Sequence, residues 1–590
     1  MPSAPALAPL RPDSLAVPVA LGAMIVLAVA APLLAMDIRT LMSTDDSMRL
    51  VAVRDLLAGQ GWFDQTQYRL NPPDGLTMHW SRLIDAPLAF QIAALTPLAG
   101  APAAEAITLT LWPMAMLAAV AALVFRMARE LGGRDAGVPA LLLMALSAGA
   151  LVHFRPGAID HHNVQIALVL SMTLGAMRIE SRGSRAGAAA GVSAALSLAI
   201  GLEMLPALAA CIAVLSLIWV VRGEALASGL MTFGIALAAG AAVLFVALEG
   251  LAGSAPATCD AFGTPVLMLA VAGGLSLALV TRAARIFGRT WQARLAMIAG
   301  AGGCVVAGFA ATFPECLQAP YADLDPRLTA LWLSNVSETL SLGGVLALRP
   351  QDAPALYGPP LMAMAVALFA MRRTKGGVAW IVALAMLAAH LAVTLWQMRG
   401  GAGAAMTAAP VLAAGLAVLC AGNGRRLVAS TLALSPVVML MLGQGGEWVA
   451  ARLGSAAPEV ARSVSANCRD LSALAALPEG RVMAQIDLGP DILVQTGHSV
   501  FAAPYHRNGA GNAAMYDVFL AGPAAAQAAL ARTGAHYVVL CDGAPEQSRY
   551  THAAPDGLSA RLLRGESFPF LQKLPGGAGG TVIWRVVAAH

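Results

Sequence analysis

The run His153 to Gln165, His-Phe-Arg-Pro-Gly-Ala-Ile-Asp-His-His-Asn-Val-Gln, gathers Arg155, Asp160, His161 and His162 between two long apolar segments. Ionisable groups beside a hydrocarbon layer are costly and concentrate at functional sites. Asp160 and His162 stand two apart. On an irregular backbone a carboxylate oxygen and an imidazole nitrogen at that spacing can meet one divalent cation, a donor pair suited to Mg, Mn or Zn. The alternative is a solvated loop at a membrane surface.

Three other places carry comparable chemistry. In Ser43-Thr44-Asp45-Asp46-Ser47-Met48-Arg49-Leu50, which continues to Arg54-Asp55, adjacent carboxylates repel each other unless a cation or an Arg lies between them. Asp45 could instead cap a helix that begins near Ser47. Glu338 follows the apolar and aromatic run at Trp332, where it either reaches a cavity from a loop or stays exposed. Arg399 closes an apolar run on the face opposite the other Arg clusters. An Arg there holds a lipid phosphate in bidentate fashion or snorkels to the headgroups.

The elements that must position these groups are membrane helices. In 590 residues, 58% are apolar and 12% charged, and the mean hydropathy of +0.71 excludes a soluble fold. Apolar runs of about 18 or more residues each span a bilayer core of roughly 30 Å. The net charge of +4 is small, and the Arg residues lie in short clusters between apolar runs, as topology rather than nucleic-acid binding requires. About thirteen membrane helices are expected, the first retained at Leu15 to Met36 and the last ending near Leu442. Pro87 to Leu98 reads as an interfacial or re-entrant helix.

The positive-inside rule puts the Arg-rich short loops in the cytoplasm. Two long polar loops, residues 37–85 and 314–357, then share the external face with the Asp-His-His loop. So does the soluble region at residues 450–590. In that region Arg481 to Ile486, Ile492 to Gln495, His536 to Leu540 and Thr581 to Val587 read as strands, and Ala524 to Thr533 as a helix, making a small α/β domain. Cys211, Cys304 and Cys420 fall inside expected helices. Cys259 with Cys316 and Cys468 with Cys541 are two candidate disulfides in an oxidising periplasm.

With these residues in place, the chain resembles the GT-C superfamily of lipid-dependent glycosyltransferases, and most closely the catalytic subunit of oligosaccharyltransferase. Thr44-Asp45-Asp46-Ser47 with Arg54-Asp55 looks like that family's first acidic motif, and Asp160-His161-His162 like its second. Ser334-Asn335-Val336-Ser337-Glu338 resembles the Ser-Val-Ser-Glu segment of the fifth external loop, and Arg399 stands where an Arg meets the donor diphosphate. The resemblance implies a GT-C-like transmembrane catalytic domain over residues 1–449 in a bacterial inner membrane. It implies a divalent cation, Mg or Mn, held by Asp45 or Asp46 with Asp160 and His162. Asp46 is the expected ligand of the two, and Asp45, Asp46, Asp160 and Glu338 are the expected catalytic set. The implied donor is a polyprenyl-linked sugar whose (di)phosphate leaves with help from the cation and Arg399. Glu338 and a motif Asp would orient the acceptor.

One departure from the family stands out. Oligosaccharyltransferases carry a Trp-Trp-Asp segment that reads the acceptor sequon, whereas after Ala450 this chain has one Trp, Trp584. In the corresponding region it reads Ala503-Pro504-Tyr505-His506-Arg507-Asn508. A glycan, lipid or protein acceptor is therefore open. Two readings from other classes are a transporter or flippase of lipid-linked glycans and a non-catalytic scaffold. A transporter places its charges at the bilayer midplane, and Glu203 is the single deep acid here.

Overall fold

The computed structural model describes residues 41, 43–250, 258–318, 324–374, 376–452, 466–576 and 580–587. It is a polytopic helical protein with a sheet-containing C-terminal region. Among the described residues nine helices are long and apolar enough to cross a membrane, or ten if the bent pair Arg134–Ala145 and Ala148–Phe154 is one span. The expected first helix lies outside the described residues. His162–Met177 is apolar but shorter, which is one reason a count from hydropathy and a count from geometry differ.

Helix bounds follow their caps. Val378–Trp396 matches its expected range, because Gly377 precedes it and Gln397 is extended. The expected short helix at Pro87 begins earlier, as Arg82–Ala99, with the Ser81 side chain accepting from the Leu83 N–H at its start. The expected span Gly137 to Val152 is broken by a 74° bend, and the expected last span is interrupted between Gly424–Ala433 and Pro436–Arg452. Small residues let helices approach closely in lipid. A side chain at Gly187 would overlap the Gly229 carbonyl, and one at Gly234 the Gly274 carbonyl.

The C-terminal sheet contains β3 (Arg481–Ala484), β4 (Ser499–Val500), β5 (Tyr537–Cys541), β6 (Leu571–Lys573) and β7 (Thr581–Val586), following a small hairpin of β1 (Thr66–Gln67) and β2 (Leu76–Thr77). Its order is β4-β3-β5-β7-β6. The first three strands are parallel, and β7 is antiparallel to both β5 and β6. Side chains alternate across a strand with period two. Val482, Ala484, Tyr537 and Val539 accordingly pack with Met48, Val51, Leu76, Met78 and Trp80 of the first external segment. Met483, Val538 and Leu540 pack on the other face with Leu328, Met515 and Leu530. The edge beside β4 is covered as well. Val500 N–H donates to the Arg69 carbonyl at 2.8 Å, and Asn71 N–H to the Val500 carbonyl at 2.8 Å, which satisfies groups that an open edge would expose.

One strand expectation is corrected. Ile492 to Gln495 lies in the helix Gly489–Gln495, with Pro490 and Asp491 in its first turn. Pro is favoured at a helix start and a carboxylate suits its positive end, whereas a run as short as Ile492-Leu493-Val494 does not distinguish strand from helix. Cys259 is bonded to Cys316 and Cys468 to Cys541, with Cα separations of 5.3 and 5.7 Å. Maleimide labelling of the denatured, unreduced protein should therefore modify three cysteines, Cys211, Cys304 and Cys420, and all seven after reduction. Labelling of more than three without reductant would contradict the pairing.

Candidate active site

The two acidic motifs meet through the start of the helix Thr44–Leu57. Its N-cap is Ser43, whose Oγ accepts from the Asp46 N–H at 3.1 Å and donates to Asp46 Oδ2 at 2.8 Å. Ser43 caps the helix in the usual way, and its hydroxyl proton goes to the Asp46 carboxylate. This cap corrects the alternative in which Asp45 caps a helix starting near Ser47. Asp46 Oδ1 accepts the N–H groups of Ile159 and Asp160 at 2.8 and 2.9 Å. Both oxygens of buried Asp46 are thus engaged in holding the second motif against the first. Burial raises the Asp46 carboxyl to about 6, with those hydrogen bonds working against the rise.

Asp45, half-buried, instead lies within electrostatic reach of Asp160, His161, His162 and Glu338, and burial together with the Asp160 charge pushes its carboxyl up to about 7. The Tyr505 hydroxyl lies against Asp45 and donates to the Thr44 carbonyl at 3.3 Å, so the C-terminal region forms one wall of this corner.

Asp160 sits in a turn made rigid from several sides. Gly157 has φ 82°, a conformation that favours Gly, and its N–H donates to the Leu109 carbonyl at 2.9 Å. Asn163 donates to the Ala158 carbonyl at 2.9 Å. Asp160 Oδ1 takes His161 Nδ1 at 2.7 Å and Arg49 at 3.2 Å. Oδ2 is buried without a hydrogen-bond partner, and His162 Nε2 stands 3.4 Å from it. Burial alone would raise Asp160, but the charges of His161, His162 and Arg49 hold it well below the usual carboxylate range.

Glu203 carries the other half of this network. Its Oε2 lies 3.0 Å from His162 Nδ1 and 3.6 Å from His161 Nε2. The carboxylate orients the His162 ring, with Nδ1 towards Glu203 and Nε2 turned towards Asp160. Gln165 sets Glu203 in place by donating to the Ser197 and Gly201 carbonyls at 3.0 and 3.1 Å, which pins the end of the helix Ile179–Ile200 beside the helix His162–Met177. Against burial, the two histidines keep Glu203 well below its usual range.

Arg49 is the main cation among these acids. Its side chain is 1% exposed, and it donates to Asp85 Oδ1 at 2.8 Å while also reaching Asp160. Its guanidinium carbon lies 4.2 Å above the Trp80 ring. Arg82 adds a second contact to Asp85 at 3.1 Å.

The remaining expected residues flank the cluster. Glu338 is exposed on the short turn Ser337–Thr339 and acts electrostatically on both Asp45 and His162. Arg399 is exposed on the turn Met398–Gly400, with no ion-pair partner among the described residues. The two turns are joined, since Met398 N–H donates to the Leu340 carbonyl at 2.8 Å. Arg155 is exposed, away from the buried network.

Sequence reading singled out neither Arg49 nor Glu203 for this site. Arg49 lay inside the first motif, and its spacing from the adjacent acids was a usable signal. Glu203 was legible as an acid in a short break between apolar segments, but its meeting with two histidines depends on helix packing.

The donor set fits a divalent cation. Asp160, His161 and His162 each offer a ligand atom within 4.8 Å of the others, and the unpartnered Asp160 Oδ2 is the kind of buried oxygen a cation satisfies.

No protein-family model matches the sequence, and no curated protein sequence matches it either. Solved structures do. Archaeal oligosaccharyltransferase AglB from Archaeoglobus fulgidus, in complex with an inhibitory peptide and a dolichol-phosphate, aligns with a TM-score of 0.64 at 15% identity over 98% of this chain and 74% of that one. The Archaeoglobus fulgidus enzyme tethered to an acceptor peptide containing the NVT sequon gives 0.64 at 14% over the same shares. Its complex with Zn and sulfate gives 0.60 at 12% over 96% and 73%. The chain therefore has the membrane fold of these GT-C oligosaccharyltransferases.

Removing Arg49 tests the network. Arg49→Met leaves Asp85 and Asp160 buried with one cation fewer, an expected loss of about 3–5 kcal/mol. The apparent Tm of the purified protein should fall clearly, and less for Arg49→Lys, which keeps the charge. Equal Tm values for wild type and Arg49→Met would contradict the role given to this side chain.

Proposed function

We propose that this protein is a GT-C-type glycosyltransferase of a bacterial inner membrane, with its site and its soluble region, residues 450–590, on the periplasmic side. It moves a sugar or oligosaccharide from a polyprenyl-(di)phosphate donor to a periplasmic acceptor. The observation that carries this reading is the grouping of Asp160, His161 and His162, with Asp160 Oδ2 buried without a hydrogen-bond partner, within a fold shared with oligosaccharyltransferases of known structure.

Asp45, Asp160 and His162 are the residues proposed to hold a divalent cation, Mg or Mn. Asp45 takes the ligand position in place of Asp46, because both Asp46 oxygens already serve the 159–160 turn. When bound, the cation would offset the negative charge that develops on the departing (di)phosphate. Arg399, exposed beside the Glu338 turn, binds the phosphate oxygens in bidentate fashion. The bond between the anomeric carbon and the phosphate oxygen breaks, the electron pair leaves with the phosphate, and the acceptor heteroatom forms the new bond to that carbon. Glu338 orients the acceptor and takes its proton. The acceptor is a glycan, a lipid or a peptide. The missing Trp-Trp-Asp segment favours one that is not read as a sequon.

Deleting the gene should cause polyprenyl-linked glycans to accumulate, as measured by mass spectrometry. Wild type should clear them, while Asp160→Asn and His162→Ala should clear them at least roughly 100-fold more slowly, as expected when stabilisation of a developing charge is lost. Normal insertion of both variants into the membrane is the control. Full clearance by Asp160→Asn would sink the proposal, as would no accumulation on deletion.

A further inference from the structure

A second group of metal-ligating side chains lies outside the Asp160 cluster. His79 comes from the segment following β2, Asp260 from the turn ahead of the helix Thr264–Phe287, and His506 from the short turn His506–Asn508 after β4. Each offers one ligand atom, and the three atoms lie within 4.8 Å of one another. The His79 and His506 rings are 4.8 Å apart between centroids. We propose that His79, Asp260 and His506 form a second divalent-cation site, able to take zinc, that clasps the C-terminal sheet region to the loops between the membrane helices.

One observation supports a ligand here beyond proximity. His79 Nδ1 is buried without a hydrogen-bond partner, and a buried polar atom of that kind calls for an explanation. The carboxylate is held by side chains that can turn, not by backbone N–H groups as Asp46 is. Arg507 donates through Nη2 to Asp260 Oδ1 and through Nε to Oδ2, both at 2.7 Å, while His506 Nε2 lies 2.7 Å from Oδ2.

Two imidazoles and a carboxylate, with water as a fourth ligand, match an open tetrahedral zinc site. At bond lengths of about 2.0–2.2 Å the ligand atoms stand roughly 3.5 Å apart, so small side-chain rotations close the group. On binding, His506 Nε2 gives up any proton it carries, Oδ2 turns from Arg507 Nε to the cation, and Oδ1 keeps its bond to Arg507 Nη2. A ligating carboxylate steadied by an outer hydrogen bond is the usual arrangement around metals.

Placement gives the clasp its consequence. His506 neighbours Tyr505, whose hydroxyl reaches the Thr44 carbonyl, and His79 neighbours Trp80, which lies under Arg49. Asp260 adjoins Cys259, bonded to Cys316. A cation at this point would fix three external segments beside the Asp160 cluster without belonging to it.

The test counts metal in the full-length protein purified in detergent, stripped with chelator and re-equilibrated with Zn2+. An Asp160→Asn/His162→Ala protein should retain one equivalent by mass spectrometry, and zinc should raise its apparent Tm. Adding His79→Ala and His506→Ala should abolish both effects, and Asp260→Asn should weaken binding while keeping a wild-type gel-filtration profile. Failure of Asp160→Asn/His162→Ala to bind zinc would overturn the proposal, as would zinc that survives removal of both histidines. Neither result bears on glycosyl transfer, which the lipid-intermediate assay reads separately.

Discussion

Three carboxylates are buried within one corner of this protein, and the rest of the external structure is built around keeping them compatible with burial. Asp46, Asp85 and Asp160 are each no more than 3–6% exposed, and a buried charge without partners is strongly unfavourable. The chain meets this constraint in three ways. Asp46 is satisfied locally, by the Ser43 hydroxyl and two backbone N–H groups. Asp85 shares Arg49 and Arg82. Asp160 takes Arg49 and His161 on one oxygen and leaves the other beside His162.

That asymmetry separates the acids into scaffold and site. Adjacent in sequence, Asp45 and Asp46 point to different tasks because helix geometry turns successive side chains by about 100°. Asp46 points back to bind the 159–160 turn, and Asp45 faces the histidines. The C-terminal region completes the corner by packing one sheet face against Met48, Val51 and Trp80. Tyr505 then reaches Thr44 from that side. Contacts between Ser47 and Asp491 at 2.7 Å, and between Arg54 and the Val494 carbonyl at 2.6 Å, tie the same helix to the Gly489–Gln495 helix.

Much of this organisation was legible in the sequence where a local signal decided it. Val378–Trp396 is bounded by Gly377 and by the polar Gln397, and its apolar run ends where the helix does. β5 and β7 announce themselves by β-branched residues in short runs. The disulfide partners followed from four cysteines that fall outside apolar segments. The bend of 74° before Phe154 did not show, because a continuous apolar run does not reveal where a helix breaks. Ile492 to Gln495 misled for the reason that three consecutive apolar residues carry no period. The meeting of Glu203 with His162 and of Arg49 with Asp160 did not show, because these contacts span 41 and 111 residues of sequence, and periodicity reports on neighbours alone.

The central claim is that Asp45, Asp160 and His162 enclose one divalent cation while Asp46 stays with the backbone of the 159–160 turn. The most direct measurement is the structure of the protein equilibrated with Mn2+, with the ion located by anomalous scattering. The account predicts an anomalous peak in contact with Asp45, Asp160 Oδ2 and His162, with the Asp46 bonds to Ile159 and Asp160 intact. A peak held by Asp46 in place of Asp45, or no peak between the two acidic motifs, would contradict it.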